Sequence, residues 1–236
     1  MTKIIVANWK MNGSKAFITE FFKNFISAPQ NFIIFCPPAL YLKDVLNHTS
    51  RVGGQDCSSH LSGAYTGDIS SVMLNDIGCQ YVLLGHSERR SYHKETSETV
   101  RQKAGHVLKA DLIPIICIGE SKEVRDAGRA RDFVLEQLSH SLPAVSDKTY
   151  YIAYEPVWAI GTGLTATEND IIQMHEAIRQ ALPQQHIPLL YGGSVNKENA
   201  HTILALPNVD GVLVGGASLK YEDFNHIVAF SELPMV

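Results

Sequence analysis

Eight short apolar runs, spaced about 30 residues apart, limit the folds open to this chain more than any other feature. Most of them are continuously apolar instead of alternating, which is typical of strands buried on both faces of a parallel sheet. The runs are KIIVAN (3–8), NFIIFC (31–36), RVGGQ (51–55), YVLLG (81–85), LIPIICIG (112–119), TYYIAYE (149–155), IPLLYGG (187–193) and DGVLVGG (210–216).

The segments between these runs carry helical patterns. From residue 167 to residue 182 apolar residues recur at helical spacing, and Thr167 with Asp170 forms a start like a capping box. Ser121 and Asn196 open similar segments, and no linker-like tract divides the chain. The alternation predicts one domain over residues 1–236, a (β/α)8 barrel with a closed, parallel, eight-stranded sheet. A doubly wound open sheet is the alternative, because it also alternates strands with helices.

The composition excludes several classes of protein. With 45% hydrophobic residues and a formal net charge of −4, the chain suits a globular protein and gives no reason to expect nucleic acid or an anionic membrane as partner. The start, MTKIIVANWK, lacks a signal-peptide pattern, and no apolar run approaches the roughly 20 residues of a membrane span. We expect a cytoplasmic protein with free thiols at Cys36, Cys57, Cys79 and Cys117.

Polar residues and glycines collect where the predicted strands end. In a barrel these positions meet at the carboxyl-terminal face, where barrel enzymes build their active sites. The sequence therefore predicts a small-molecule site at this face. Its candidate residues are Asn8, Lys10, Gln55, His86, Glu155, Gly192, Gly193, Ser194, Gly215 and Gly216.

Paired glycines after the seventh and eighth strands predict a phosphate site. In YGGSV and LVGGAS each pair ends a strand and leads into a helix, so that bare backbone amides can approach an anion. Lys10 as a counter-charge favours a phosphate monoester over a carboxylate. Ordinary tight turns are the alternative for either pair.

The stretch GTGLTA, residues 161–166, fits the dinucleotide fingerprint G-x-G-x-x-G/A. Its glycines begin six residues beyond the strand's last residue, too far for the tight turn that sets a pyrophosphate on a helix. The next strand ends in YGGS, without the acidic residue that binds ribose. A hinged loop, whose glycine amide can also face an anion, is the better interpretation.

Three side chains are candidates for the chemistry. His86 precedes a predicted helical turn whose positive end lowers the imidazole pKa and keeps the ring neutral; a structural histidine is the alternative. Glu155 is either a structural carboxylate paired with an arginine or, beside His86 and Lys10, a general base. Lys10 could be a Schiff-base lysine, although aldolase-type barrels usually carry theirs inside a later strand.

Two other segments are expected to support the site. Glu88 with Arg89 and Arg90 predicts ion bridges that brace it. The long, glycine-rich and aperiodic loop 60–71 predicts an arm that projects at a subunit interface. The histidines form no HExxH, HxH or Cys/His cluster, so we expect neither a metal nor another cofactor.

Seven motifs in order, along nearly the whole chain, resemble the triosephosphate isomerase family: NWKMNGS, GAYTGDIS, LLGHSERR, CIGE, AYEPVWAIGTG, YGGSV and DGVLVGGASL. The resemblance implies a (β/α)8 barrel, usually a homodimer. It implies an isomerase of glycolysis and gluconeogenesis that interconverts dihydroxyacetone phosphate and D-glyceraldehyde 3-phosphate without a cofactor. This family is itself a standard example of pKa tuning and of loop closure.

The resemblance also implies roles for single residues. Glu155 moves a proton between carbons 1 and 2, neutral His86 acts on the enediol oxygens, and Lys10 stabilises developing negative charge. Loop 157–166 closes over the phosphate and excludes water. The remaining implied roles are orientation of the substrate by Asn8, support by Glu88, a buried structural thiol at Cys117, backbone amides for the phosphate at Gly161, Ser194, Gly215 and Gly216, and a contact from Thr66 towards Asn8 and Lys10 of the partner subunit.

Two departures from the family's pattern leave these residues untouched. Asp56 stands where the family commonly has Asn, which would change how the partner's arm docks. Leu164 stands where the hinge of the loop often begins with Lys. A phosphate-binding barrel without catalytic activity is the alternative function.

Overall fold

A computed structural model of the chain describes residues 2–28, 30–143, 148–159 and 165–232. Within these residues the strands are β1 (Ile4–Asn8), β2 (Phe32–Cys36), β3 (Gly53–Gly54), β4 (Tyr81–Leu84), β5 (Ile113–Ile118), β6 (Tyr151–Tyr154), β7 (Leu189–Tyr191) and β8 (Gly211–Val214). They form one parallel sheet in the order β2-β1-β8-β7-β6-β5-β4-β3. A bridge between Phe35 and Val52 joins its two edges. The predicted barrel is confirmed, and the open sheet is wrong.

Helices follow the strands. They are α1 (Lys15–Asn24), α2 (Leu42–Leu46), α3 (Ser71–Asp76), α4 (Ser87–Tyr92), α5 (Ser97–Lys109), α6 (Lys122–Asp126), α7 (Ala130–Ser141), α8 (Glu168–Ala181), α9 (Ala200–Ala205) and α10 (Tyr221–Ala229). Short 3-10 turns lie at Ala39–Tyr41, Val157–Ala159, Gly216–Leu219 and Phe230–Glu232. Among the helices in the described part of the chain, none has the length and apolarity to cross a membrane.

Two of the three predicted helix starts are confirmed. Thr167 and Asp170 form a full capping box at the start of α8, and the side chain of Ser121 accepts a hydrogen bond from the first turn of α6. The prediction for Asn196 is wrong, since α9 begins only at Ala200. The Asn196 side chain instead accepts hydrogen bonds from the next backbone amides, of Glu198 and Asn199, each at 3.0 Å, and so closes a turn.

The strands are apolar throughout because both of their faces are buried. Alternate residues of the strands belong to two separate apolar clusters. Every member of one cluster lies in a strand, so this cluster fills the inside of the barrel. The other contains helix residues and packs the barrel against its outer layer. Burial of each large aliphatic side chain contributes roughly 1.5–3 kcal/mol. The inner cluster comprises Ile4, Val6, Ile34, Cys36, Tyr81, Leu83, Ile115, Cys117, Tyr151, Ala153, Leu190 and Leu213. All four cysteines are buried free thiols, as expected.

Candidate active site

A cavity of about 330 Å³ opens at the carboxyl-terminal face of the barrel. The structure brings together in its lining the predicted site residues that it describes, except Glu88, which pairs with Lys10 just outside, and Gln55, which lines a second, neighbouring cavity. Gly161 falls outside the described residues. The lining consists of Asn8, Lys10, His86, Glu155, Gly192, Gly193, Ser194, Val195, Asn196, Leu213, Gly215, Gly216 and Ala217.

Lys10 is held at its backbone and at its ammonium group. Its φ of 51° lies in the left-handed region, which a residue with a side chain seldom adopts. Asn8 Oδ1 accepts a hydrogen bond from the Lys10 amide at 3.0 Å, and Gln55 Nε2 donates to the Lys10 carbonyl at 2.8 Å. Neighbouring groups therefore stabilise a strained backbone that aims the side chain into the cavity. Sequence reasoning placed Gln55 at this face but gave it no such role.

Glu88 supports Lys10 directly. Its Oε1 lies 2.5 Å from Lys10 Nζ, which makes an ion pair at the edge of the cavity. The predicted bridges from Glu88 to the arginines are wrong. Arg89 pairs with other acids, and Arg90 donates hydrogen bonds to the carbonyls of Gly85 and Cys117, at 2.8 and 3.0 Å. Both arginines do brace the site, but through other partners than Glu88.

Glu155 is buried at the end of β6, with only 2% of its surface exposed. The amide of Ser87 donates to its Oε2 at 3.0 Å, and its Oε1 lies 3.0 Å from His86 Nε2. The position of Glu155 requires a glycine at residue 119, because a Cβ on Gly119 would lie 1.7 Å from the Glu155 carbonyl oxygen. The carboxylate is thus already largely shielded from water in this arrangement.

The hydrogen bonds of His86 fix which ring nitrogen carries its proton. His86 is the N-cap of α4, and its Nδ1 accepts a hydrogen bond from the Glu88 amide at 3.2 Å. An acceptor nitrogen carries no proton, so the neutral ring has its hydrogen on Nε2, which donates to Glu155. The ring therefore presents an N–H group at the cavity.

The predicted direction of the His86 pKa is wrong for this arrangement. Burial acts most strongly and lowers the pKa of His86, but the Glu155 carboxylate and its hydrogen bond, with Glu88, outweigh it. The pKa of His86 is therefore raised above its usual value. The helix terminus that the prediction considered is a weaker influence than a carboxylate in direct contact.

Part of the cavity wall is made of backbone that follows β7 and β8. Gly215 and Gly216 follow β8, and Ser194 follows β7. A Cβ at Gly215 would lie 3.3 Å from Lys10 Cε, so glycine lets the lysine stem lie against this wall. The Ser194 hydroxyl donates a hydrogen bond to the Ala159 carbonyl, which ties the wall to the segment after β6.

The start of loop 157–166 is fixed by Glu120, which sequence reasoning missed. Glu120 is fully buried, and its Oε1 accepts a hydrogen bond from Trp158 Nε1 at 2.7 Å. The Tyr154 hydroxyl donates to the same carboxylate, and Arg125 lies 4.2 Å above the Trp158 ring. Burial raises the pKa of Glu120, although these hydrogen bonds act against the rise. Residues 160–164 of the loop, with Leu164, lie outside the described residues.

Asp56 belongs to a cluster of four charges beside the site. It forms ion pairs with Arg89 at 2.9 Å and with Lys103 at 2.8 Å, and both cations also bind Glu95. Burial raises the pKa of Asp56, while Lys103 acts to lower it. Lys103 therefore neutralises the additional negative charge of Asp56. The sequence alone did not identify Lys103 as this partner.

The predicted arm projects beside a second cavity of about 560 Å³. Residues 60–68 are all exposed, whereas Ser70 and Ser71 are buried and begin α3, so the arm is shorter than the predicted loop 60–71. The cavity, called the groove below, lies between the arm and the segment that carries Met11, and of its lining residues only Lys10 also lines the first cavity. In the described chain, no group of three or more His, Cys, Asp and Glu side chains could hold a metal ion.

Several known proteins that are similar to this chain in sequence or in structure share one description. The sequence profile of a family described as triosephosphate isomerase matches residues 3–231. The chain is 47% identical to the triosephosphate isomerase of Acidiphilium cryptum, covering 95% of this chain and 96% of that protein. It is 48% identical to that of Ruegeria pomeroyi, over 98% and 97% of the two chains. The crystal structure of triosephosphate isomerase from Bartonella henselae matches with a TM-score of 0.89 and 35% identity, over 99% of this chain and all of that one.

Proposed function

This chain belongs to the triosephosphate isomerase family, and we propose that Glu155, His86 and Lys10 carry its interconversion of dihydroxyacetone phosphate and D-glyceraldehyde 3-phosphate. The chain is an enzyme, an aldose–ketose isomerase whose reaction is a step of glycolysis and gluconeogenesis. The observation that carries the proposed roles is the meeting of a buried carboxylate, an imidazole N–H and an ammonium group in one cavity of about 330 Å³.

Glu155 acts as the base. Its carboxylate removes a proton from the carbon beside the substrate carbonyl, and the electron pair left behind shifts towards the carbonyl oxygen to give an enediolate. His86 Nε2 gives its proton to the former carbonyl oxygen and takes the hydroxyl proton from the other enediol oxygen, which restores the neutral imidazole. The protonated Glu155 then returns its proton to the former carbonyl carbon, and the carbon that lost its proton becomes the aldehyde, which converts ketose to aldose. The same base serves both carbons because it needs to move only about one bond length between them.

His86 and Lys10 stabilise the charge that develops on oxygen. His86 Nε2–H, now bonded to Glu155, turns its hydrogen bond to the substrate oxygens when the carboxylate swings towards the substrate. That exchange removes the contact which raises the pKa of His86, while burial, which lowers it, persists. The imidazole then reacts in its neutral form. Lys10 adds a fixed positive charge, and Asn8 orients the substrate.

The phosphate lies against the backbone amides of Ser194, Gly215 and Gly216, with Gly161 as a fourth donor. Loop 157–166 closes over it and keeps water away, so that the enediolate does not eliminate phosphate. The hydrogen bonds of Trp158 and Ser194 at the start of the loop support this hinge.

We further propose a cytoplasmic homodimer in which each subunit is the single domain 1–236. The arm and the groove lie side by side on one molecule, so a two-fold axis allows each arm to enter the other subunit's groove. Met11, 96% exposed, and Tyr65, 45% exposed, supply apolar surface at this interface. Thr66 reaches towards Asn8 and Lys10 of the partner subunit.

A coupled assay on D-glyceraldehyde 3-phosphate tests the catalytic proposal. Glu155→Asp withdraws the carboxylate by about one bond length, and we expect kcat to fall at least about a hundredfold with little change in KM. Glu136→Gln, which removes an exposed carboxylate on α7, is the matched control and keeps normal activity. An unchanged kcat for Glu155→Asp refutes the proposed base. Complete inactivity of the unaltered chain would favour the alternative, a phosphate-binding barrel without catalytic activity. No observation on this chain supports that alternative.

A further inference from the structure

The arm is held together by contacts within itself. At its root the Ser58 amide donates to the Ile69 carbonyl at 2.8 Å, and the Ser58 hydroxyl donates to Asp68 Oδ2 at 2.6 Å. One step further out, the His60 amide donates to Ser58 Oγ at 3.1 Å. These bonds join the two ends of an exposed loop and anchor His60 at the base of its projecting part.

Beyond the root, a pair of stacked rings spans the arm. The His60 and Tyr65 rings lie 3.8 Å apart between centroids, with 4° between their planes. Gly63 makes this possible, because its φ of 129° lies in the region that favours glycine and a Cβ there would lie 3.1 Å from the Tyr65 ring. Both rings belong to residues exposed to solvent, so the stack is not enforced by a surrounding core.

We propose that His60 is a positioning residue for subunit association, because its ring orders the arm before the arm docks. The inference rests on the proposed homodimer. The stack fixes the Tyr65 backbone, and Thr66, the next residue, is the one expected to reach the partner. An arm that is already ordered loses less conformational freedom on docking, which strengthens the dimer without any contact from His60 to the other subunit.

The expected effect follows from the strength of such ring pairs. Loss of one aromatic pair is expected to change the equilibrium constant for docking of one arm about three- to tenfold. A symmetric dimer docks two arms, so loss of the stack in both subunits weakens the dimer roughly ten- to a hundredfold. The root contacts of Ser58 do not involve the His60 ring and remain.

Sedimentation velocity over a dilution series measures the dimer Kd for the full chain and three variants. His60→Ala removes the ring, His60→Phe keeps a flat ring without polar atoms, and His140→Ala removes an exposed histidine on α7. We expect a Kd raised about ten- to a hundredfold for His60→Ala and a Kd near that of the unaltered chain for the other two. Hydrogen exchange at the Tyr65 and Asp68 amides, which donate to the Gly63 and Tyr65 carbonyls, is expected to accelerate in His60→Ala alone.

Three outcomes overturn the proposal in distinguishable ways. If the unaltered chain stays monomeric at every concentration, the homodimer itself is refuted. If it dimerises and His60→Ala leaves both the Kd and the exchange rates unchanged, only the role of His60 is refuted. If His60→Phe weakens the dimer as much as His60→Ala, the imidazole contacts the partner through its polar atoms, and preordering by the stack is wrong.

Discussion

The stability of this chain should fall as the pH drops below neutral because of one buried histidine. His175 in α8 has no solvent exposure, and its Nδ1 lies 3.0 Å from the Asn208 carbonyl oxygen. Within the described chain its Nε2 has no hydrogen-bond partner. Burial lowers the pKa of His175 from 6.5 to about 4, and the hydrogen bond to Asn208 offsets only part of that change.

The sign and size of the effect follow from proton linkage. Between pH 6.5 and pH 4 the unfolded chain binds a proton at this residue and the folded chain does not, so acid favours unfolding. Each pH unit in that window changes the free energy of unfolding by about 1.4 kcal/mol per proton. His175 alone therefore lowers the free energy of unfolding by about 3 kcal/mol between neutral pH and pH 4, and it has no effect on this free energy above about pH 7.

Urea unfolding at a fixed protein concentration, repeated from pH 4 to pH 8, measures this loss. His175→Gln cannot titrate but can still donate to Asn208, so we expect its free energy of unfolding to fall about 3 kcal/mol less across the range than that of the unaltered chain. His140→Gln, which removes an exposed histidine, controls for the loss of a titrating ring. Parallel curves for the unaltered chain and His175→Gln would show that another group, and not His175, is responsible for the acid sensitivity.

Three further predictions concern residues that hold the site. Trp158→Phe removes a hydrogen-bond donor to the buried Glu120 carboxylate, and urea unfolding should show a free energy of unfolding lowered by about 1–3 kcal/mol. Gln55→Leu frees the carbonyl of the strained Lys10, and steady-state kinetics should show kcat lowered about ten- to a hundredfold with the fold intact by circular dichroism. Gly119→Ala forces the Glu155 backbone to move and should lower the free energy of unfolding by about 3 kcal/mol or more, whereas Gly105→Ala, which meets nothing within 4 Å, should raise it by about 0.5–1 kcal/mol.

The barrel could be predicted from the sequence because its signal is local. Each continuously apolar run reports a strand buried on both faces, and eight such runs with helices between them leave few architectures. The ends of those strands also located the cavity residues, since parallel strands carry their carboxyl ends to one face. Both inferences use only the order of strands and helices along the sequence.

The features that could not be predicted depend on residues far apart in the chain. The direction of the His86 pKa is decided by Glu155, which lies beside His86 only because β4 and β6 both pair with β5. Lys103 as the partner of Asp56 is a contact of the same kind. Asn196 was misplaced for a different reason, because an asparagine that closes a turn and one that caps a helix accept the same kind of backbone hydrogen bond.

Proton exchange with solvent tests most directly whether Glu155 carries the proton between the two carbons. The chain is incubated with dihydroxyacetone phosphate in D2O, and the deuterium bound to carbon in the product is measured by NMR. We expect the unaltered chain to incorporate deuterium, because a carboxylate that has taken up the substrate's proton exchanges it with solvent before returning one. Glu155→Gln, which keeps the shape of the side chain, should bind the substrate and incorporate none. Continued incorporation by Glu155→Gln at the rate of the unaltered chain would show that another group is the base.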